Sequence, residues 1–549
     1  MGYVGRDADY EEPLAAPSAM WADLYALTMA QALFLEGRHE QQSTFHAFVR
    51  KTPFNAAYLL TAGQNIVSEW LDKNWEFTDR DIRRLAAKTV LDPQTGTQQK
   101  VFQPEFLEML KNAKLGLNLD MMPEGEIALP SEPIYKVSGP IWQCLAVEAA
   151  ILNTMNSQSN FATYASILKT VAKGKPVAEF GLRRAQAVGG LSPTRGAYVG
   201  GADASSNCWA ESVYGIKTIG TMAHAYIMVH EDELDAFSEW SKHNPYLGIF
   251  LVDTYNTLEG VKRAIAVCKE RDIKLAGIRL DSGDLNYLSK ESRKLMDEAG
   301  FASAKIVVSN DLDSRIINDL EQQGAPIDMY AVGTNLVTLS EQPALGGVYK
   351  VGNIYENGLT HDEIMAMKAA VRSGAVSPDA IRDKVRDVMK LSNQAIKMTY
   401  PGELDLIRYL KEEDGKLLFD GDTIYPEWDI DPIAYDDPSD LFSGRLSRDI
   451  MSVRRDNHIL SKHFNAGVRA YRPLQPVFLQ GILVGDIETV HIARERALGR
   501  LEMLDPSHRR LLNPHELVVG VEEGLLQRQE AMARRLKRAG NTIEANLVS

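Results

Sequence analysis

Between residues 177 and 332 the chain repeats one local unit, and that repeat limits its fold more than any other feature. Short apolar runs at 177–180, 217–220, 247–252, 274–280, 305–308 and 329–332 read as strands, and the segments 258–270 and 289–300 carry helical apolar spacing. The later runs sit roughly 25–30 residues apart, which fits βα units and a parallel sheet. They stop in polar residues: Asp253-Thr254, Asp281-Ser282-Gly283-Asp284, Ser309-Asn310-Asp311 and Gly333-Thr334-Asn335. Polar clusters at the carboxyl ends of successive strands describe the active face of a (β/α) barrel. A doubly wound open sheet is the alternative, because sequence alone does not count closure.

The stretch from Gly277 to Leu285 is the most informative of these ends. An apolar run gives way to Arg279, Asp281, Ser282, Gly283 and Asp284, and a helix follows. The arginine suits an anion, and the carboxylates suit a metal ion or a sugar's hydroxyls. A substrate bearing both phosphates and hydroxyls fits this turn.

The flanks read differently. Residues 1–20 look like a loose tail. Helical spacing marks 21–35 and 57–71, strand alternation marks 44–49, and Thr78 caps a further helix. Residues 125–137 read as two short strands broken at Pro130 and Pro133, and 140–156 as a long apolar helix. After Lys397 the pattern changes: 425–475 is rich in Asp, Pro and Arg with weak periodicity, while 487–504 and 522–538 read as surface helices.

A chain of 549 residues is long enough for two or three domains. Its formal charge of −14 argues against general nucleic-acid binding, which needs a basic footprint, but leaves room for anionic small substrates met by local arginines. Three cysteines, Cys144, Cys208 and Cys268, with no CxxC, fit a reduced compartment and no disulfide framework. The first twenty residues lack the apolar core of a secretory signal, and no apolar run is long enough for a membrane span, so a cytoplasmic address with no membrane partner is expected.

Three further groups carry chemistry. Glu179-Phe180-Gly181-Leu182-Arg183-Arg184 and Ser192-Pro193-Thr194-Arg195 put arginines and glycines just past a strand, a combination that grips phosphate; a solvated basic loop is the plainer reading. Gly220-Thr221-Met222-Ala223-His224 delivers a histidine after small residues, either a nucleophile or acid/base group or a satisfied core histidine. Gly333-Thr334 with Gly346-Gly347 could cradle a phosphate by backbone amides, or simply form turns. No Walker, GxGxxG, HExxH, GxSxG or Cys/His metal motif occurs.

Taken in order, Asp23-Leu24-Tyr25, Arg50 to Phe54, Glu179 to Gln186, Gly200-Gly201, Ser205-Ser206-Asn207, Gly220 to His224, Arg279 to Leu285, Ser309 to Asp313 and Gly333 to Lys350 resemble the nicotinate phosphoribosyltransferase family. The resemblance runs from Trp21 to about Gln529. It implies an irregular TIM-like (β/α) barrel with a second α+β domain built from the N- and C-terminal regions. The division it suggests is a tail at 1–20, a flanking part at 21–140, the barrel core at 141–395 and a second flanking part at 396–549. It implies transfer of the phosphoribosyl group of 5-phosphoribosyl 1-pyrophosphate to nicotinate, coupled to ATP hydrolysis through a phosphohistidine, with Mg²⁺ and with active sites shared in a homodimer.

By that resemblance Phe180 and Tyr25 of the partner subunit stack on the pyridine, and Arg279 faces its carboxylate. Arg183 lies near phosphate, and Asp281 holds ribose hydroxyls directly or through Mg²⁺. Gly333, Thr334, Gly346 and Gly347 bind the 5′-phosphate, and His224 accepts the γ-phosphoryl of ATP. Ser206 stands where nicotinamide-using relatives carry an aspartate; a neutral donor favours a carboxylate substrate over nicotinamide, and quinolinate, with two carboxylates, would need a richer basic pocket. Lys390 and Lys397 are candidates for the partner subunit's phosphate site. Asn335, where arginine is common in bacterial members, and Ala225-Tyr226, in place of serine and an aromatic, are departures from the pattern. A catalytically silent homologue acting as a binding protein is the remaining alternative.

Overall fold

The computed structural model describes residues 16–356, 358–392, 398–429, 431–455 and 457–548. Six strands form one parallel sheet, in the spatial order Ile249–Leu251, Gly277–Leu280, Lys305–Val308, Met329–Val332, Val177–Glu179, Ala204–Ser205. The last strand in sequence thus pairs with the first. That wrap-around is the order of a barrel wall and differs from a doubly wound sheet, whose order reverses about a central switch point. A single parallel bridge, Ser205 to Thr218, continues the arc. Among the described residues no ladder joins Thr218 to the Ile249–Leu251 strand, so the wall is an open arc there, and closure into a full barrel is not seen. The expected strand at 217–220 is reduced to that one bridge.

Helices cover the outside of this arc. The Thr257–Glu270 helix is capped by Asn256 and the Leu285–Glu298 helix by Asp284, which accepts from the Tyr287 amide at 3.0 Å. Both bury their apolar faces against the strands, placing Val261, Ala264, Ile265 and Met296 in the core with Phe250, Ile278 and Ile306.

The remaining sequence builds two antiparallel-rich sheets. A seven-stranded sheet runs Val385–Asp387, Gly347–Tyr355, Gln42–Val49, Tyr135–Pro140, Asn118–Met121, Gln475–Leu479, Ile482–Leu483. An eight-stranded sheet takes its strands from between Leu404 and Glu522. Residues 425–475, which carry no clear period, supply Ile433–Tyr435, Gly444–Leu446, Ile450–Arg454, Ser461–Phe464 and Arg469–Tyr471 to it. Strands this short cannot display an alternation long enough to read. The end of the segment read as a loose tail is packed: Ala19 is fully buried, and the Trp70 indole donates to the Pro17 carbonyl at 2.9 Å.

One helix joins the sheets. The run read as 140–156 is two helices, Ile141–Ala146 and Glu148–Val171. The second belongs to both cores, with Ala150, Ile151 and Met155 in one and Tyr164, Leu168 and Val171 in the other. The helix Leu191–Val199 lies so close that a Cβ on Gly200 would sit 2.1 Å from the Ala162 carbonyl oxygen. No helix among the described residues is long and apolar enough to cross a membrane.

Buried charge binds the N- and C-terminal regions together. Arg408, 1% exposed, bonds Asp422 at 2.7 Å, Glu126 at 3.0 Å and Glu132 at 3.3 Å. Removing one partner of such a network leaves uncompensated buried charge. Arg408→Leu therefore lowers stability by about 3–5 kcal/mol, read as a lower urea midpoint; an unchanged midpoint would show the network contributes nothing net.

Candidate active site

The site grows from the strand Gly277–Leu280. Side chains two apart on a strand share a face, so Arg279 on the strand and Asp281 just past its end project together. The Arg279 Nη2 donates to Asp281 Oδ1 at 3.0 Å. Its Nη1 donates to Thr221 Oγ1 at 3.1 Å, and its Nε to Ser309 Oγ at 2.9 Å. The guanidinium carbon lies 5.7 Å from the centre of the Phe180 ring, within cation–π range. Three strand ends and the segment before His224 thus converge on one cation.

Asp281 is equally enclosed. Its Oδ1 accepts from Ser309 as well as from Arg279, and its Oδ2 lies 3.6 Å from His224 Nε2. Burial by itself would raise this carboxyl, but the Ser309 hydroxyl, Arg279 and His224 outweigh it and hold it below its ordinary value. His224 begins the short helix His224–Met228, and its Nδ1 sits 3.1 Å from Thr254 Oγ1. The imidazole remains 40% exposed, so this ring stays open to a ligand.

Asp253, read from sequence only as a polar strand end, belongs to this site. Its Oδ2 accepts from the Asp281 amide at 3.0 Å and from Ser282 Oγ at 2.5 Å. Its Oδ1 is buried with no hydrogen-bond partner among the described residues. Ser282 and Asp284 shape the turn, one through Asp253 and the other as the helix cap.

On the other side of the cluster, Glu179 is a support. It is 1% exposed and accepts from Thr194 Oγ1 at 2.7 Å, Ser205 Oγ at 2.6 Å and the Gly181 amide. This fixes the turn that carries Phe180. Gly333 packs against that turn: a Cβ on it would lie 3.2 Å from the Phe180 carbonyl oxygen. Thr334 opens the helix Thr334–Thr338. The Ser206 amide bonds the Glu179 carbonyl at 2.9 Å, which brings half-buried Ser206 to the same strand end.

Not every predicted residue joins this group. Arg183 is exposed in the turn Leu182–Arg184. Arg195, read as a phosphate arginine, is buried and spent on Glu124 at 2.9 Å, a partner 71 residues away. Gly347 starts a strand of the seven-stranded sheet, and its amide is taken by Asn156 Oδ1 at 3.1 Å; Gly346 is exposed with no heavy atom within 4 Å of a Cβ built on it. Tyr25 is 47% exposed and bonds Glu148 with its hydroxyl, which burial and that carboxylate push up to about 12. Asn335 donates to the Leu312 carbonyl at 3.0 Å and accepts from Ser340 at 2.6 Å, so it serves its own turn. Lys397 lies outside the described residues.

Comparison with known proteins gives this geometry a family. The nicotinate phosphoribosyltransferase (NAPRTase) N-terminal domain matches residues 20–156 and the corresponding C-terminal domain residues 452–529. The nicotinate phosphoribosyltransferase of Bacillus subtilis is 36% identical over 400 residues, covering 72% of this chain and 74% of that one. This chain belongs to the nicotinate phosphoribosyltransferase family. The Dictyostelium discoideum nicotinate phosphoribosyltransferase is 33% identical over 472 residues, covering 76% of this chain and 73% of its own. The crystal structure of human nicotinic acid phosphoribosyltransferase aligns with a TM-score of 0.69 at 24% identity, covering 93% of this chain and 99% of that one, a likeness of fold.

The support under Phe180 can be tested directly. Glu179→Gln puts an amide NH₂ where three donors converge and lowers stability by about 1–3 kcal/mol, read by thermal melting; a melt identical to wild type would show that the carboxylate is dispensable.

Proposed function

We propose that this family member transfers the phosphoribosyl group of 5-phosphoribosyl 1-pyrophosphate to nicotinate, giving nicotinate mononucleotide and pyrophosphate in NAD biosynthesis. The observation that carries the reading is the cluster of Arg279, Asp281 and Phe180 at the parallel strand ends, in a chain of this family. The bond from ribose C1 to pyrophosphate breaks as the pyridine nitrogen attacks, and positive charge builds on the sugar between them. Such a step needs positioning and electrostatic support rather than a covalent protein group. Asp281, held ionised, faces the ribose. Arg279 stands over the Phe180 ring, where it can pair with the carboxylate of a pyridine stacked there. Ser206 is neutral and can donate to the same carboxylate, whereas nicotinamide or quinolinate would need an acceptor or a second cation.

The phosphate end draws on Gly333, Thr334 and Gly346, whose amides are free of the partner that holds Gly347. Exposed Arg183 is the adjacent cation of the strand-end turn. A second basic group supports a shared site. Lys350 is held below its ordinary value, first by burial and then by the nearby charges of Arg50 and Lys390, with Glu148 opposing. Crowded cations of this kind suit pyrophosphate oxygens. In the homodimer reading they and Tyr25 of the partner subunit complete the site that Phe180 begins.

His224 is the group we assign to ATP. It is the exposed base of the cluster and lies beside Asp281. It would accept the γ-phosphoryl on one ring nitrogen with loss of a proton, as the bond to the β–γ bridging oxygen breaks and ADP leaves, forming a phosphohistidine whose hydrolysis drives the transfer forward. Magnesium fits as an ion brought by the phosphates. Among the described residues no group of three or more His, Cys, Asp or Glu could hold a metal, so Asp281 would supply one side and substrate oxygens the rest. The ion would neutralise the leaving pyrophosphate.

The test is the purified chain with nicotinate, nicotinamide or quinolinate, with and without ATP and Mg²⁺. Nicotinate mononucleotide is expected from nicotinate, faster with ATP. Absence of pyrophosphate release with any of the three pyridines would leave a silent homologue, and turnover of nicotinamide alone would overturn the substrate assignment. His224→Ala abolishes the ATP stimulation and leaves ATP-independent synthesis. Asp281→Asn lowers kcat by roughly two orders of magnitude or more; an effect confined to KM contradicts its role.

A further inference from the structure

The orientation of Arg279 is set from behind. A guanidinium carries five N–H donors. Three are engaged here, one each by Ser309, Thr221 and Asp281. One N–H on each terminal nitrogen stays available, the number a carboxylate takes in a fork. The side chain is 13% exposed, so an unpartnered nitrogen would not be freely hydrated.

Ser309 occupies a special place in this arrangement. The strands Gly277–Leu280 and Lys305–Val308 pair with Leu280 opposite Val308, and the Ser309 amide continues the ladder to the Leu280 carbonyl at 2.9 Å. The register therefore sets residue 309 beside residue 281. The Ser309 oxygen accepts from Arg279 Nε and its hydrogen goes to Asp281 Oδ1. Thr221 touches only the arginine of the two.

We propose that Ser309 is a positioning residue for the transfer reaction, tying the Arg279 guanidinium to the Asp281 carboxylate through one hydroxyl, with Thr221 fixing the outer end of the guanidinium. The inference rests on the nicotinate reading above. With alanine at 309 the backbone ladder persists, but Arg279 loses its Nε partner and Asp281 loses a donor. The two charges then reorient independently: one sets nicotinate binding, the other the transition state.

Steady-state kinetics on full-length Ser309→Ala, Ser309→Thr and Thr221→Val test this, with thermal melts alongside. Ser309→Ala raises KM for nicotinate roughly tenfold and also lowers kcat roughly tenfold. Thr221→Val raises only the nicotinate KM. Threonine at 309, which keeps the hydroxyl, restores most of both. Added to Arg279→Gln, Ser309→Ala raises the nicotinate KM no further. A Ser309→Ala enzyme with unchanged nicotinate KM, or one whose losses follow a lowered melting point and resist rescue by threonine, overturns the proposal. Wild-type protein that turns over no nicotinate defeats the parent reading instead.

Discussion

The ion pair between Arg279 and Asp281 is the interaction on which the rest of the site depends. Each charge is largely withdrawn from water, and either alone would be costly to bury. Together they are neutral, and the strand's two-residue period gives them one face without any loop having to fold back. The groups near them touch that pair: Phe180 under the guanidinium, Ser309 and Thr221 on its nitrogens, His224 and Asp253 around the carboxylate and its amide. In the proposed function the pair also divides the labour, with the cation available to a carboxylate and the anion to a sugar that becomes positive.

The larger architecture explains how a chain of this length brings remote segments to that point. The parallel arc presents its carboxyl ends together because the last strand pairs with the first. The helix Glu148–Val171 then fastens the arc to the seven-stranded sheet, and Asn156 on it fixes Gly347 beside open Gly346. Phe54 donates its amide to Gln342, linking the loop after the Gln42–Val49 strand to the same glycine segment. Arg408 and its carboxylates lock the two flanking regions into one body behind this assembly.

Much of this was legible in the residues because an apolar run that stops at charge is a local signal. Arg279, Asp281 and His224, which the fold brings together, stand out that way, as do the strands of the parallel sheet. What escaped was decided by distant partners. Arg195 reads like a phosphate arginine until Glu124, far back in the chain, claims it. Glu179 looks like part of a basic motif but serves as a buried acceptor for Thr194 and Ser205. Asp253 carries the same signature as any strand-end carboxylate, and only the fold sets it on the Asp281 amide. Residues 425–475 hid a sheet because its strands are too short to show a period.

Equilibrium binding of nicotinate and nicotinamide to wild type and to Arg279→Gln, followed by calorimetry, tests the central claim most directly. If Arg279 over Phe180 is the carboxylate partner, wild type binds nicotinate at least about tenfold tighter than nicotinamide, and the variant loses that distinction. A variant that keeps the wild-type preference would contradict the account, as would a wild type that prefers nicotinamide.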